Sequence, residues 1–265
     1  MTRSSTVAAT CELVFRRGAD GRTVLSAQHV QPPFAVLGTF LLDEGVPGLC
    51  TVVLQSTCGP LRPGDELALR VVAQAGAQCA VSSQAALVVH AGAAPAVTRC
   101  AIEADGGAWC EVVAPPTLLA HDARLENRVD VEAASGATIV VTDAYAPAAL
   151  GTPAYELEST MRVHRDGRLL AHDRLVLDTR DGSVRSAGVL GDRRAHGMLW
   201  AIGLDGCIDA PEVAAGSLPN DAGLAVQMVA RDGRELSLAL RSAWTAVRRA
   251  ALGISVNERL TTFTR

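Results

Sequence analysis

The chain has 265 residues, a formal charge of −4, 49% apolar and 20% charged residues, enough apolar material for one large domain or two small ones and too much for a disordered chain. All 24 basic residues are arginine, so P-loop nucleotide hydrolysis, pyridoxal chemistry and Schiff-base aldol chemistry, each of which needs a lysine, are excluded. The mildly acidic balance gives nucleic acid and anionic membrane no electrostatic footing, and 3% aromatics leave few rings for stacking sugars or bases.

The first segment, MTRSSTVAATCELVFRRG, has no apolar stretch of signal-peptide length, because Glu12 and Arg16 interrupt it. Residues 71–98 carry no Asp, Glu or Arg, but Gln74, Gln78, Ser82, Ser83, Gln84 and His90 make insertion into a bilayer costly. The expectation is a soluble, cytoplasmic protein. Seven cysteines (Cys11, Cys50, Cys58, Cys79, Cys100, Cys110, Cys207) show no Cys-x-x-Cys pair, so most are expected to be small buried apolar residues.

Alternation predicts strands. In ELALRVVAQ, Leu67, Leu69 and Val71 share a face with Arg70 opposite; in ARLENRVDVE, Leu125, Val129 and Val131 share one, with Arg124, Glu126, Arg128 and Asp130 on the other. Between residues 75 and 142, Ala-Gly-Ala-Gln, Ala-Gly-Ala-Ala, Gly-Gly-Ala-Trp and Ser-Gly-Ala-Thr each precede a strand-like run. Asp-Gly occurs six times, at Asp20, Asp105, Asp166, Asp181, Asp205 and Asp232. Because Asp-Gly favours tight hairpin turns, hairpins are expected at Asp166-Gly167 and again within QMVARDGRELSLAL at Asp232-Gly233. SAWTAVRRAAL, residues 242–252, is the one convincing helix, with Trp244, Val247 and Ala251 on one face and Gly253 as its stop. The ending NERLTTFTR reads as a frayed tail or a short terminal strand. Dense turn signals with few helices point to an all-β fold, a sandwich or stacked solenoid-like layers, and with no Pro- or Ser-rich linker, residues 1–265 are expected to form a single domain.

No dinucleotide fingerprint, nucleophile elbow or His-Glu-x-x-His motif is present. Six histidines remain: His29, His90, His121, His164, His172 and His196. Two precede an aspartate directly, His121-Asp122 and His172-Asp173, a spacing that on a strand sends the two side chains to opposite faces. A β-fold enzyme whose Ser or Cys nucleophile meets a His only in the folded chain stays open as an alternative. So does a purely structural or carbohydrate-associated β-protein, against which the scarce aromatics count.

Several short blocks, in order, resemble the UreD (UreH) family of urease accessory proteins. They are Gly21-Arg22-Thr23-Val24-Leu25 with Pro32-Pro33-Phe34; Cys58-Gly59-Pro60-Leu61-Arg62-Pro63-Gly64-Asp65-Glu66-Leu67, similar to G-G-L-x-x-G-D-x-L; and Ser83-Gln84-Ala85-Ala86. Pro116-Thr117-Leu118-Leu119 through Ala123-Arg124 to Arg128-Val129-Asp130-Val131 follows, then Arg165-Asp166-Gly167-Arg168-Leu169-Leu170 with Asp173-Arg174-Leu175. The chain departs from the family pattern at Leu87-Val88-Val89-His90, where a Thr-Lys-x-Tyr stands, at Gly59-Pro60 for Gly-Gly, at Ala114-Pro115 for Pro-Gln and at Ala120 for Phe.

The resemblance implies a layered, β-helix-like stack of hairpins and strands with one or two short helices, including one near the C-terminus. It implies a non-catalytic scaffold in urease maturation, without a tightly bound cofactor, that binds a helical UreF-like protein, through it a UreG-like GTPase, and apo-urease. It further implies transient passage of nickel through the interior. Asp65, Asp143 and Asp173 match acidic positions of the family's blocks and are the expected polar lining of that passage.

Overall fold

The computed structural model describes residues 6–57, 59–149, 154–205 and 214–260. The described residues hold seventeen strands, arranged as two stacked sheets, and one long helix. Sheet A runs in the order β14 (Arg168–Asp178), β13 (Tyr155–Arg165), β11 (Ala123–Ala133), β8 (Ala96–Ala104), β5 (Glu66–Ala73), β1 (Ala8–Arg17), β2 (Thr23–Val30). Sheet B runs β16 (Ala214–Ser217), β17 (Gly223–Ala230), β15 (Ala195–Ile202), β12 (Thr138–Pro147), β9 (Trp109–Val113), β6 (Gln78–Ser83), β4 (Cys50–Ser56), β3 (Phe34–Phe40). Two short strands, β7 (Val88–Val89) and β10 (Thr117–Leu119), form a third side, with β10 paired in parallel to both β7 and β12.

Between β5 and β12 the chain winds as a β-solenoid: a sheet A strand, a sheet B strand, then a short third-side strand, twice over, before the winding ends on β11 and β12. Strands β5, β8 and β11 pair in parallel, as do β6, β9 and β12. Hairpins pair antiparallel at both flanks, β1 with β2 and β13 with β14 in sheet A, β3 with β4 and β12, β15 and β17 in sheet B. The all-β class expected from the sequence pattern and the layered, β-helix-like stack implied by the family resemblance are both observed.

The Gly-Ala signals explain the winding. At Gln74–Ala77, Asp105–Ala108 and Ala134–Ala137 the fourth residue's N–H donates to the first residue's carbonyl at 2.9, 3.0 and 3.0 Å. The third residue of each, Gly76, Gly107 or Gly136, has φ between 67° and 81°, which a turn of this type demands and which an L side chain resists. The three corners stack, Gly76 N–H on Gly106 O and Gly107 N–H on Gly136 O, both at 3.2 Å. The fourth such signal, Ala91-Gly92-Ala93-Ala94, lies outside this stack, where Gly92 is pressed so closely on Pro63 that a Cβ would sit 1.9 Å from Pro63 Cγ.

Asp-Gly is less uniform than expected. Asp166-Gly167 closes the β13–β14 hairpin, with φ of 51° and 76° as a type I′ turn requires, and Gly21 turns β1 into β2. Asp105-Gly106 sits in a solenoid corner, Asp181 caps a short 3-10 turn (Gly182–Arg185), and Gly206 lies outside the described residues, as do Cys58 and Cys207.

The expected hairpin at Asp232-Gly233 is absent. Asp232 is instead the N-cap of helix α1 (Gly233–Leu252), its carboxylate accepting from Glu235 N–H at 2.8 Å. Asp-x-x-Glu is a helix-start signal, and in ELSLAL it outweighs the strand-like alternation because Leu236, Leu240, Ala243, Trp244 and Val247 recur at helical spacing and all become buried. The helix is therefore nine residues longer at its start than residues 242–252 suggested, and it ends as expected at Gly253, φ 69°. It is too polar to cross a membrane, and no other helix among the described residues is long and apolar enough to do so. Residues 254–260 form no strand; they fold back, burying Val256 and Leu260, with Asn257 Nδ2 donating to Leu42 O at 2.7 Å, and the rest of the NERLTTFTR ending lies outside the described residues.

Helix α1 covers the outer face of sheet B, and its anchor is polar. Arg248 is fully buried and donates from Nη2 to Glu111 Oε2 at 2.7 Å and from Nη1 to Asp43 Oδ1 at 2.9 Å. Glu111, also fully buried, further accepts from Trp109 Nε1 at 2.7 Å and Trp244 Nε1 at 3.0 Å, while the Arg248 guanidinium lies 4.9 Å from the Trp244 ring centre. Breaking such a pair from one side strands a buried charge, so Arg248→Ala is expected to cost about 3–5 kcal/mol in a urea-denaturation measurement, whereas Arg249→Ala, on the exposed side of the same helix, changes it by less than about 0.5 kcal/mol.

Candidate functional site

Between the sheets lies a cavity of about 650 Å3. Its walls are largely apolar, with Leu67 and Leu69 from β5, Val129 from β11, Val112 from β9 and Val141 from β12. Its exposed end is framed by Pro33 and Phe34, Gly59 and Pro60, the stretch Ser83–Ala86, and Pro115 with Thr117. Gln55 Nε2 donates to Gln84 Oε1 across this end. Four sequence blocks far apart in the chain thus converge on one mouth.

The inner end is polar. Thr98, Asn127 and Ser159 occupy one transverse row of sheet A, because β8, β11 and β13 pair in register at these three residues. Asp143 projects at them from β12 of the opposite sheet. Thr98 Oγ1 donates to Asn127 Oδ1 at 2.7 Å, Asn127 Nδ2 donates to Asp143 Oδ1 at 3.2 Å, and Ser159 Oγ donates to Asp143 Oδ2 at 2.5 Å. Tyr145 closes the group, its hydroxyl donating to Ser159 Oγ at 3.1 Å. Asp143 remains partly open to the cavity, and among the described residues it is the one carboxylate lining it. Burial pushes its pKa from 3.8 to about 6, with Asp173 adding repulsion and the Ser159 and Tyr145 hydroxyls opposing the rise.

The three expected acidic residues do not come together. Asp143 is the cavity carboxylate. Asp65 is 4% exposed in the turn before β5, where Oδ1 accepts from Val7 N–H at 2.7 Å and Oδ2 from Arg62 N–H at 2.8 Å; the two bonds tie the start of β1 to that turn and occupy both oxygens. Asp173 lies opposite Met161 on the edge strand β14, on its inward side but exposed, and its charge acts on Asp143 from there. Among the described residues no three His, Cys, Asp or Glu side chains gather as a metal site.

Four partners of the site escaped the sequence reading: Thr98, Asn127, Ser159 and Tyr145. A signal for three of them was present. Thr98 stands between Ala96 and Cys100, Asn127 between Leu125 and Val129, and Ser159 between Leu157 and Met161, each a polar residue breaking an apolar strand face at period two. No local rule says that these breaks share one row. His196 is the one buried histidine among the described residues, and its Nε2 faces the Gln227 side chain at 3.4 Å rather than a hydroxyl or thiol. Burial raises the pKa of the Cys11 thiol to about 11 and that of the half-buried, cavity-lining Cys100 to about 12, which holds both protonated.

The family model described as "UreD urease accessory protein" matches residues 7–261. This chain belongs to the UreD family. "Urease accessory protein UreD 3" of Bradyrhizobium sp. (strain ORS 278) is 35% identical over 256 residues, covering 91% of each chain. "Urease accessory protein UreD 1" of Pseudomonas syringae pv. tomato is 32% identical over 93% of each, and "Urease accessory protein UreD" of Natronomonas pharaonis is 29% identical over 92% of this chain and 88% of its own. The resemblance seen in short blocks thus extends over almost the whole chain. As a UreD-family protein it has a role in urease maturation, and association with urease is the matching expectation for its surface.

The raised pKa of Asp143 carries a stability consequence. The folded chain holds this proton more tightly than the unfolded one, so the contribution of Asp143 to stability is largest below about pH 4, falls as pH rises to about 6 and stays lower above it, by at most about 3 kcal/mol. Asp143→Asn removes that charge. Calorimetric melting is therefore expected to show the variant more stable than the parent at pH 8 and no more stable at pH 4.

Proposed function

We propose that this chain is a cytoplasmic, non-catalytic scaffold that helps deliver nickel to apo-urease in company with UreF- and UreG-like partners, and that the inter-sheet cavity carries the metal. The observation that supports the passage is the composition of the cavity: apolar walls, hydroxyls, amides and the Cys100 thiol, with, among the described residues, a single carboxylate at the inner end. A borderline divalent cation crossing a protein needs oxygen donors that hold it weakly enough to release it. A carboxylate whose two oxygens already accept from Asn127 and Ser159 is such a donor. Asp143 is the residue through which the cargo passes; Asp173 adds negative charge near it, and Asp65 serves the passage indirectly by holding the N-terminal strand.

The scaffold reading also fits the chemistry the chain lacks. Without lysine it has no P-loop, so nucleotide hydrolysis falls to a GTPase partner. The mouth carries apolar groups, Pro33, Phe34, Pro60 and Ala85 among them, beside the Gln55–Gln84 bridge, a surface suited to a helical protein partner.

Co-expression with a UreF-like protein followed by size-exclusion chromatography tests the partnership. A stoichiometric complex is expected, and a chain that elutes alone in the partner's presence overturns it. In cells also producing urease and the other accessory proteins, Asp143→Ala is expected to lower urease activation at limiting nickel without lowering the amount of apo-urease. Unchanged activation at every nickel concentration overturns the passage.

A further inference from the structure

Cys50 of β4, Cys79 of β6 and Cys110 of β9 form a ladder of thiols. They stand in one transverse row of sheet B, because the parallel pairs β4–β6 and β6–β9 are in register at these residues. All three are free and face the inter-sheet core, Cys50 at 2% exposure and Cys79 and Cys110 at 0%. The next row along the same face is Val52, Val81 and Val112, so apolar side chains flank the thiols. One buried cysteine packs as a small apolar residue and calls for no further account. Cysteine on three consecutive strands brings thiols together, which packing alone does not require.

Sheet A supplies the contrast. Cys11 of β1 and Cys100 of β8 also share a row, but Leu69 of β5 stands between them. Neighbouring strands lie about 4.8 Å apart, so these two positions are about twice that distance from each other and one ion cannot bridge them. In sheet B, Cys79 has a thiol one strand away on either side.

The spacing decides which chemistry the row can perform. A disulfide needs Cβ atoms about 3.8 Å apart, closer than the spacing of about 4.8 Å between in-register positions on neighbouring strands. A metal–thiolate bond is about 2.3 Å long, so an ion lying in line between two sulfurs spans about 4.6 Å. That span matches the ladder. Linear coordination by two sulfurs is the preference of soft closed-shell ions such as Cu(I), which thiolates select. Nickel-class ions take square-planar or larger sets of nitrogen and oxygen donors, which a row flanked by valines does not offer. The ladder also adjoins the cavity. Val112 lines the cavity wall, and Cys110 is the next residue of β9 on the same face.

We propose that Cys79, paired with Cys110 or Cys50, is a binding site for a soft two-coordinate cation of the Cu(I) class, separate from the nickel cargo. The ion displaces one thiol proton, so ion, thiolate and remaining thiol together carry no net charge, as apolar surroundings demand.

The test supplies Cu(I) as its bicinchoninate complex, under argon, to the full chain carrying Cys58→Ala and Cys207→Ala, two positions outside the described residues. Fading of the complex reads the copper withdrawn, and one equivalent per chain is expected. Adding Cys79→Ala is expected to abolish withdrawal, because Cys50 and Cys110 are two strands apart. Cys50→Ala or Cys110→Ala alone leaves one neighbouring pair and keeps the equivalent, and Cys100→Ala leaves it unchanged. No withdrawal by the starting chain, or full withdrawal after Cys79→Ala, overturns the site. Loss in Cys100→Ala, or in both end variants, overturns it as well. Should Cys79→Ala not fold, X-ray absorption at the copper edge of the loaded starting chain decides: two sulfur neighbours support the site, and a third sulfur or any nitrogen or oxygen neighbour overturns it.

Discussion

In-register parallel stacking is the constraint on which the rest of this structure depends. Once β5, β8, β11 and β13 pair without slippage, residues far apart in sequence stand side by side in one row: Leu67, Thr98, Asn127, Ser159. A one-residue slip in any pair would turn that strand's inner face outward and destroy both core and site. The stacked corners at Gly76, Gly107 and Gly136 set the register, because each turn must close on its own carbonyl and also meet the next turn above it. Register therefore creates the polar line. A single Asn in one strand would be an isolated defect, whereas Thr98, Asn127 and Ser159 in consecutive rungs satisfy one another and leave donors for Asp143.

The two sheets solve their exposure differently. Parallel sheets are usually covered on both faces. Sheet B is covered on its outer face by α1, through an apolar cluster that includes Leu236, Leu240, Trp244 and Val247 and through the buried Glu111–Arg248–Asp43 group. That group ties together the helix, the central strand β9 and the loop after β3, so the covering helix has one seat rather than a choice of sliding positions. Sheet A leaves its outer face to water and carries charges there: Arg70 bridges Glu12 and Glu103, Arg99 meets Glu66, and Arg174 meets Glu158. Such exposed pairs add little stability, but they keep a flat sheet face wet.

Function follows from the inner faces. Burial among apolar walls raises the pKa of Asp143, and the hydrogen bonds from Asn127 and Ser159 already occupy both of its oxygens. Weak, hydroxyl-shared oxygen donors suit transit and suit storage badly. This donor set is the ground of the proposed cation passage, and the accessory role in urease maturation is the one its family carries.

Much of this was legible locally. The alternation in ELALRVVAQ and ARLENRVDVE sorted inward from outward residues correctly, the Gly-Ala corners marked three coil turns, and Asp166-Gly167 marked a hairpin, because these signals act over two to four residues. Asp143 could be singled out from the family pattern. Asp232-Gly233 misled because one dipeptide serves both a hairpin and a helix cap, and the choice fell to the apolar stripe that follows it. What only the tertiary structure decided is partnership. Asn127 meets Thr98 and Ser159 across 29 and 32 residues of chain, and Arg248 meets Glu111 across 137 and Asp43 across 205. Sequence periodicity tells which way a side chain points; what it points at is set by how the coils stack and where the helix lands, because burial rewards any apolar contact and only a packed register selects among them.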